Sequence, residues 1–253
     1  MSAIALAARA EALKLRRSPV GVIGTLAVVA GTLGLLGGIT VALATGNPEV
    51  TAKAGAAATR DWPGLVASAG QITAAGGMLA FGVVLSWIFG REFADGTITG
   101  LFALPVGRAH IAAAKFAVYG VWAAAVSVAL ALGICALGVA LGYGAPSAHT
   151  WAGLGRYLVL GALSAAVATP VAWIATVTRS MLAAVGGAIA LVVMAQVGAL
   201  AGVGAWLPLA APALWAMSGG TAVSAAQLAL VVTFGAGGVA LTCAAWGRLQ
   251  LDR

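Results

Sequence analysis

Charged residues are what this sequence has least of. Only 8% of its 253 residues are Asp, Glu, Lys or Arg, against roughly 25% in ordinary soluble domains. Hydrophobic residues make up 62% of the chain. This composition excludes a soluble globular domain and predicts that lipid solvates most of the chain.

Cysteine and histidine are also scarce, with two of each. Cys135 and Cys243 fall inside predicted spans, where a disulfide would need two helices to touch at matching depth, so packing is their expected role. His110 and His149 are predicted on opposite sides of the membrane and have no ligand neighbours at metal-binding spacing. No metal site is expected.

Long apolar runs are what the sequence has in abundance. A hydrocarbon core of about 30 Å needs roughly 20 apolar residues per helix, and the runs are apolar all round rather than alternating as in a β-barrel. The sequence predicts an all-α polytopic membrane protein, with a single transmembrane domain over residues 1–253. Its six predicted spans are about 19–44, 67–89, 112–142, 156–178, 181–204 and 223–246.

The distribution of Lys and Arg predicts the orientation. Ten of the thirteen lie on one side of the predicted helices, and only Lys53, Arg60 and Arg156 lie on the other. Because cytoplasmic loops hold the excess, both termini are predicted in the cytoplasm. The net charge of +7 is then explained by topology and anionic lipid, without nucleic acid. High Ala, Gly and Val with few Lys favours a bacterial source and its plasma membrane.

Residues 2–17 read as an amphipathic helix lying in the membrane interface, with Leu6 and Leu13 on its apolar stripe. This helix either braces a cytoplasmic partner or is a basic flank that only fixes the topology. Its charged residues are Arg9, Glu11, Lys14, Arg16 and Arg17.

Two proline-containing regions predict irregular helices. The apolar segment 205–221 contains Pro208 and Pro212 and is expected to form a re-entrant hairpin, or an interfacial helix lying flat. Pro170 is expected to kink the fourth span.

A charged segment, Arg91 to His110, separates the second and third predicted spans. It is longer than a simple connection between membrane helices requires. Its apolar residues, followed by Pro105, favour a short amphipathic helix from about Glu92 to Leu104. Gly96 would let another backbone approach it closely.

The order and spacing of residues in this segment resemble a known family. Glu92 is followed by Gly96-Thr97, Leu101, Leu104-Pro105, Arg108 and Lys115. The pattern is similar to the cytoplasmic signature of type-2 ATP-binding-cassette permeases. That resemblance implies that Glu92 to Leu104 is a coupling helix, which docks on an ATPase subunit. The residues it assigns to docking are Arg91, Glu92, Phe93, Asp95, Gly96, Thr97, Leu101 and Arg108.

The resemblance further implies an interfacial N-terminal helix, six spans and a re-entrant hairpin before the last. It implies two copies of a separate ATPase subunit and a second permease half, either a copy of this chain or a related one. No G-x-x-x-x-G-K-[ST] pattern occurs in the sequence, so ATP and Mg²⁺ are expected in the partner and no cofactor in this chain. The expected function is export of an apolar or amphipathic substrate, such as a drug, lipid or peptide, by alternating access. No catalytic site is expected.

Two other functions stay open at this point. An ion-coupled secondary transporter normally needs an ionisable group inside the bundle, and all six acidic residues are predicted in termini or loops; sodium bound by carbonyls of a broken helix is the remaining route. A non-transporting scaffold or sensor subunit is also open, because polar side chains in spans commonly join helices.

Overall fold

Helices make up almost all of the computed structural model, which describes residues 3–103 and 105–250. Those residues contain no strand and six helical spans long and apolar enough to cross a membrane. The predicted all-α, six-span architecture is therefore confirmed. The α-helices are α1 (Ala3–Arg17), α2 (Pro19–Ala44), α3 (Pro48–Ala54), α4 (Trp62–Ala94), α5 (Ile98–Phe102), α6 (Arg108–Ala140), α7 (Ala148–Val167), α8 (Pro170–Thr178), α9 (Met181–Leu200), α10 (Ala211–Met217) and α11 (Ala225–Arg248), with a short 3₁₀ helix at Gly55–Ala57.

The spans are α2, α4, α6, α7 with α8, α9 and α11. The first has the predicted bounds, but α7 begins well before the predicted start at residue 156. Ser147 caps α7 by accepting a hydrogen bond from the backbone N–H of Thr150 at 3.3 Å. Arg156, the first residue of the predicted span, therefore lies about two turns inside the helix.

The centre of the bundle is formed by α4 and the α7–α8 span. In the most apolar stretch of α7–α8, 61% of the residues are buried, against 11% for α2. Leu85 and Phe89 of α4 are fully buried, as are Val171 and Ala172 of α8. The first span, by contrast, leaves most of its apolar surface exposed rather than packed against other helices of the chain.

The fourth span is interrupted at Ala168–Thr169, just before Pro170, where the sequence predicts a kink. Proline lacks a backbone N–H and clashes with the preceding turn. The Thr169 hydroxyl lies 2.9 Å from the carbonyl oxygen of Ala166 and 2.8 Å from that of Gly235 on α11. The break is thus stabilised by the last span.

The bundle has two ends, which we name by what they carry. The terminal end holds α1, α5 and the C-terminal end of α11; the opposite end holds α3, α10 and the connection at 141–147. At the opposite end, the indole N–H of Trp62 donates to the carbonyl of Tyr143 at 3.1 Å. Residues 201–210 form turns before the short α10, and the re-entrant depth of this region remains a prediction.

Candidate docking surface and the charge cluster behind it

The predicted helix from Glu92 to Leu104 is divided in the structure. Residues 92–94 end α4, a turn follows, and α5 covers only Ile98–Phe102; Leu104 lies outside the described residues. The predicted bounds were wrong because Gly96 ends α4. The φ of Gly96 is +66°, and its N–H donates to the Phe93 carbonyl at 3.4 Å. Helices often end at a residue in this left-handed conformation, which glycine adopts most readily.

The turn between α4 and α5 is the exposed part of this segment. Asp95, Gly96 and Thr97 are exposed, as are Thr99 and Gly100 on α5. A Cβ added at Gly96 or Gly100 would meet nothing within 4 Å. We call residues 95–100 the tip surface; it is open to a partner at the terminal end.

Three residues expected to face a partner have contacts inside the chain. Glu92 is only 1% exposed. The ring of Phe93 is half-buried, with its centroid 6.3 Å from that of Trp246 on α11. Leu101 is also half-buried and packs against the core. The Glu92 side chain is therefore not available as an outward contact, and that of Phe93 is available only in part.

The two arginines of the segment brace its ends. The Nε of Arg91 lies 3.0 Å from an Asp95 carboxylate oxygen, a partly exposed pair. Arg108 places its guanidinium 4.1 Å from the ring centroid of Phe102 and donates to the carbonyl of Leu249. These contacts fix α5 against the last described residues of the chain.

Behind the tip surface lies a cluster of four charges from three helices, which we call the charge cluster: Glu11 and Lys14 of α1, Glu92 of α4 and Lys115 of α6. Lys115 Nζ lies 2.7 Å from Glu11 and 2.9 Å from Glu92. Lys14 Nζ lies at the same two distances from the same carboxylates. The hydroxyl of Thr97 donates to the other oxygen of Glu92, which links the cluster to the tip surface.

The charge cluster is balanced in both charge and hydrogen bonding. An ammonium group has three donors, and those of Lys115 meet Glu11, Glu92 and the carbonyl of Ile88 at 3.0 Å. Lys115 is 0% exposed. Because a buried charge is strongly destabilising unless it is paired and hydrogen-bonded, the four side chains must stay together.

Lys14 is the most exposed member of the charge cluster, with 33% of its side chain accessible. Burial lowers the pKa of Lys14. The hydrogen bonds and charges of Glu11 and Glu92 together raise it by more, so the pKa lies above the usual 10.5. The stabilisation from a raised lysine pKa is complete below the usual value and is lost as pH rises through the raised one. Lys14 therefore stays charged at neutral pH.

Sequence reasoning placed the members of this cluster at the surface. Glu11 and Glu92 were assigned to terminal and loop segments, yet they are buried on α1 and at the end of α4. The sequence feature that could have revealed the cluster is Lys115, a lone cation inside an apolar run. Such a residue predicts a partner at the same depth, and the sequence offers Glu92 one loop away.

α1 forms as predicted and faces two environments. Its Glu11 and Leu15 are buried against the bundle, whereas Leu6 and Leu13 are about half exposed. The remaining charged residues, Arg9, Arg16 and Arg17, are exposed. An apolar outer face on a helix at the end of a membrane bundle is typical of an interfacial helix.

Comparison with known families identifies the chain. A family model described as ABC-2 family transporter protein matches residues 7–197. The chain belongs to the ABC-2 transporter family. The match begins in α1 and ends in α9, so this ABC-2 permease carries its tip surface and its charge cluster within the matched region. A search of curated proteins finds no match to it.

Proposed function

We propose that this chain is the membrane-spanning subunit of an ATP-driven exporter for an apolar or amphipathic substrate. The observation that carries the proposal is the family match over residues 7–197. Permeases of this family normally work with an ATPase subunit. The proposed assembly holds two permease halves and two ATPase subunits, with ATP and Mg²⁺ in the latter.

The tip surface is the proposed docking site for the ATPase. Three observations support this: residues 95–100 are exposed apart from Ile98, two glycines leave room for a close approach, and the surface lies at the end carrying both termini. The docking role expected for Glu92 and Phe93 passes to Asp95, Gly96 and Thr97. Glu92 then acts behind the surface by holding Thr97.

Alternating access follows if docking moves the tip surface. The Thr97–Glu92 hydrogen bond and the charge cluster join the tip surface to α1, α4 and α6. Buried ion pairs resist separation, so these helices would shift as one body. A nucleotide drives such a shift only through a difference in affinity between the two states, and the docking contacts must supply that difference.

In the proposed orientation, the terminal end faces the cytoplasm of a bacterial cell and the opposite end lies outside the plasma membrane. The excess of Lys and Arg at the terminal end supports it. Exposed Arg16 and Arg17 lie in the last turn of the amphipathic α1, where they would meet anionic headgroups.

Affinity purification of the tagged chain in lipid, followed by native mass spectrometry, tests the proposal. Wild type is expected to carry two ATPase subunits per permease pair. Asp95→Arg, which reverses an exposed charge on the tip surface, is expected to lose them, whereas Glu49→Arg, a matched reversal on exposed α3, is expected to keep them. Absence of an ATPase from wild type in several lipids would contradict the proposal.

A further inference from the structure

Arg156 is a cation inside a spanning helix at the opposite end of the bundle. It is half-buried on α7, about 12 Å along the axis from Ala148. Among residues 3–103 and 105–250, the ion pairs join other side chains and none includes Arg156. Ionisable groups within spans are rare and mark functional positions.

Arg156 lines a cavity of about 230 Å³ between α4, α7 and α10. Its polar wall includes Gln71, His149, Thr150 and Tyr157 beside the guanidinium. The residues that line it include no carboxylate. A cavity with one fixed cation, several hydrogen-bonding groups and no acidic side chain favours an anion over a cation or a zwitterion.

A second cavity, of about 340 Å³, adjoins the first and shares Gln71 and Met217 as walls. It lies between α4, α7, α9 and α10, and its lining is mostly apolar, including Met78, Val192 and Leu214. Its size falls within the roughly 300–1,000 Å³ of small-molecule sites. The first cavity thus offers a cation, and the neighbouring second cavity offers an apolar lining that fits a hydrocarbon chain.

We propose that the two neighbouring cavities together bind an anionic amphiphile, with its phosphate or carboxylate group at Arg156 and its apolar chain in the second cavity. Anionic amphiphiles are then the class of substrate that the exporter transports. The cargo role rests on the proposed function, but the binding site itself does not. It narrows the substrate from an apolar or amphipathic compound to one with a negative headgroup.

An arginine near a span end often extends to the lipid headgroups along its own helix. The position of Arg156 favours a site instead, because Arg156 lines a pocket between α4, α7 and α10. The tyrosine that follows it, Tyr157, is buried and hydrogen-bonds Thr73 of α4 at 2.9 Å. This contact fixes α7 against α4 at the level of the cavity.

Photolabelling of the full chain in phosphatidylcholine nanodiscs tests the site. The probes are dodecyl phosphate and dodecyl phosphocholine, each with a diazirine at the end of the chain, and mass spectrometry maps the labelled residues. Dodecyl phosphate is expected to label the second cavity, including Val192, Gln196 and Met217. Loss of a charge-assisted hydrogen bond in Arg156→Gln is expected to lower this labelling by roughly tenfold or more.

Two variants control the labelling. Arg60→Gln removes an exposed arginine at the same end and is expected to leave labelling unchanged. Arg156→Lys keeps the charge and is expected to retain most of it, which separates loss of charge from loss of folding; size-exclusion profiles check folding directly. Equal labelling by both probes, or no change in Arg156→Gln, would overturn the site.

The cargo role has its own readout, which is ATP hydrolysis by the purified complex. Dodecyl phosphate is expected to stimulate hydrolysis in wild type and not in Arg156→Gln. If the probe labels the cavity but leaves hydrolysis of an active complex unchanged, the cargo role is overturned and a resident membrane lipid occupies the site. If no ATPase joins the chain, the proposed function fails while the labelling result stands.

Discussion

At the residue scale, the charge cluster dominates the terminal end. Glu11 and Glu92 each contact both Lys14 and Lys115, so each charge has two partners of opposite sign. Removing one partner leaves an uncompensated charge where water is scarce, and such losses amount to about 3–5 kcal/mol. Exposed pairs such as Arg91–Asp95 contribute under about 1 kcal/mol.

Glu92→Gln is expected to destabilise the protein by about 3 kcal/mol or more, because Lys115 keeps its charge while losing one of its two carboxylate partners. Asp95→Asn, three residues away on the exposed turn, is expected to change stability by less than about 1 kcal/mol. Denaturant unfolding in detergent measures both variants. Equal effects of the two substitutions would contradict the charge cluster.

Sequence reasoning could find these charges but not their environment. A hydropathy pattern weighs each residue along one helix, so Glu92 at the end of an apolar run reads as a surface residue. Its burial depends on Lys115 from α6 and Lys14 from α1, which only the folded bundle brings together. The same reasoning began the fourth span at Arg156, although α7 begins well before it, at Ala148 after the Ser147 cap.

At the element scale, α1 is held to the bundle by a few groups. Glu11 reaches Lys115, Leu15 is buried against the core, and Ser18 ends the helix by donating to the Leu15 carbonyl at 2.9 Å. Leu6 and Leu13, on the outer face of α1, stay about half exposed. Glu11 is thus one polar anchor of α1, together with Lys14, which pairs with Glu92 of α4.

Glu11→Gln is expected to speed amide hydrogen exchange in residues 3–17 by about tenfold to a hundredfold, because a hydrogen bond to a charged group stabilises by roughly 1.5–3 kcal/mol. Arg16→Gln, on the exposed side of the same helix, is expected to leave exchange nearly unchanged. Exchange read by mass spectrometry in nanodiscs compares them. Similar exchange in both variants would show that Glu11 does not anchor α1.

The contact between α11 and the broken fourth span gives another element-scale prediction. A Cβ at Gly238 would lie 2.5 Å from the Thr169 hydroxyl and 2.9 Å from the Pro170 nitrogen, whereas one at Gly237 would meet nothing within 4 Å. Gly238→Val is expected to destabilise the bundle by about 1–3 kcal/mol through overpacking. Gly237→Val is the control, and denaturant unfolding in detergent should separate them; equal stability would contradict this packing.

The sequence predicted which helices exist better than it predicted where they begin and end. The first span matched at Pro19–Ala44, because Ser18 and Pro19 form a recognisable helix start. The coupling segment did not match, because Gly96 has room and freedom for a left-handed turn that pattern reading treated as part of a helix. Glycine is so common in this membrane sequence that the pattern alone does not show which glycines end a helix.

At the scale of the whole molecule, the two proposed sites lie at opposite ends of the bundle. The terminal end combines an exposed tip surface with buried charges that join it to three helices. The opposite end carries the cationic cavity and the apolar one beside it. Six spans connect the ends, so a force applied at the tip surface has a continuous helical route to the cavities.

The most direct test of this account is site-specific photocrosslinking in the native membrane. A photoreactive amino acid replaces Gly100 on the tip surface in one sample and Glu49 on α3 in another. Crosslinks from position 100 to a subunit with a phosphate-binding loop, and none from position 49, are predicted. A crosslinking pattern in which position 100 captures no such subunit in active membranes would contradict docking at the tip surface.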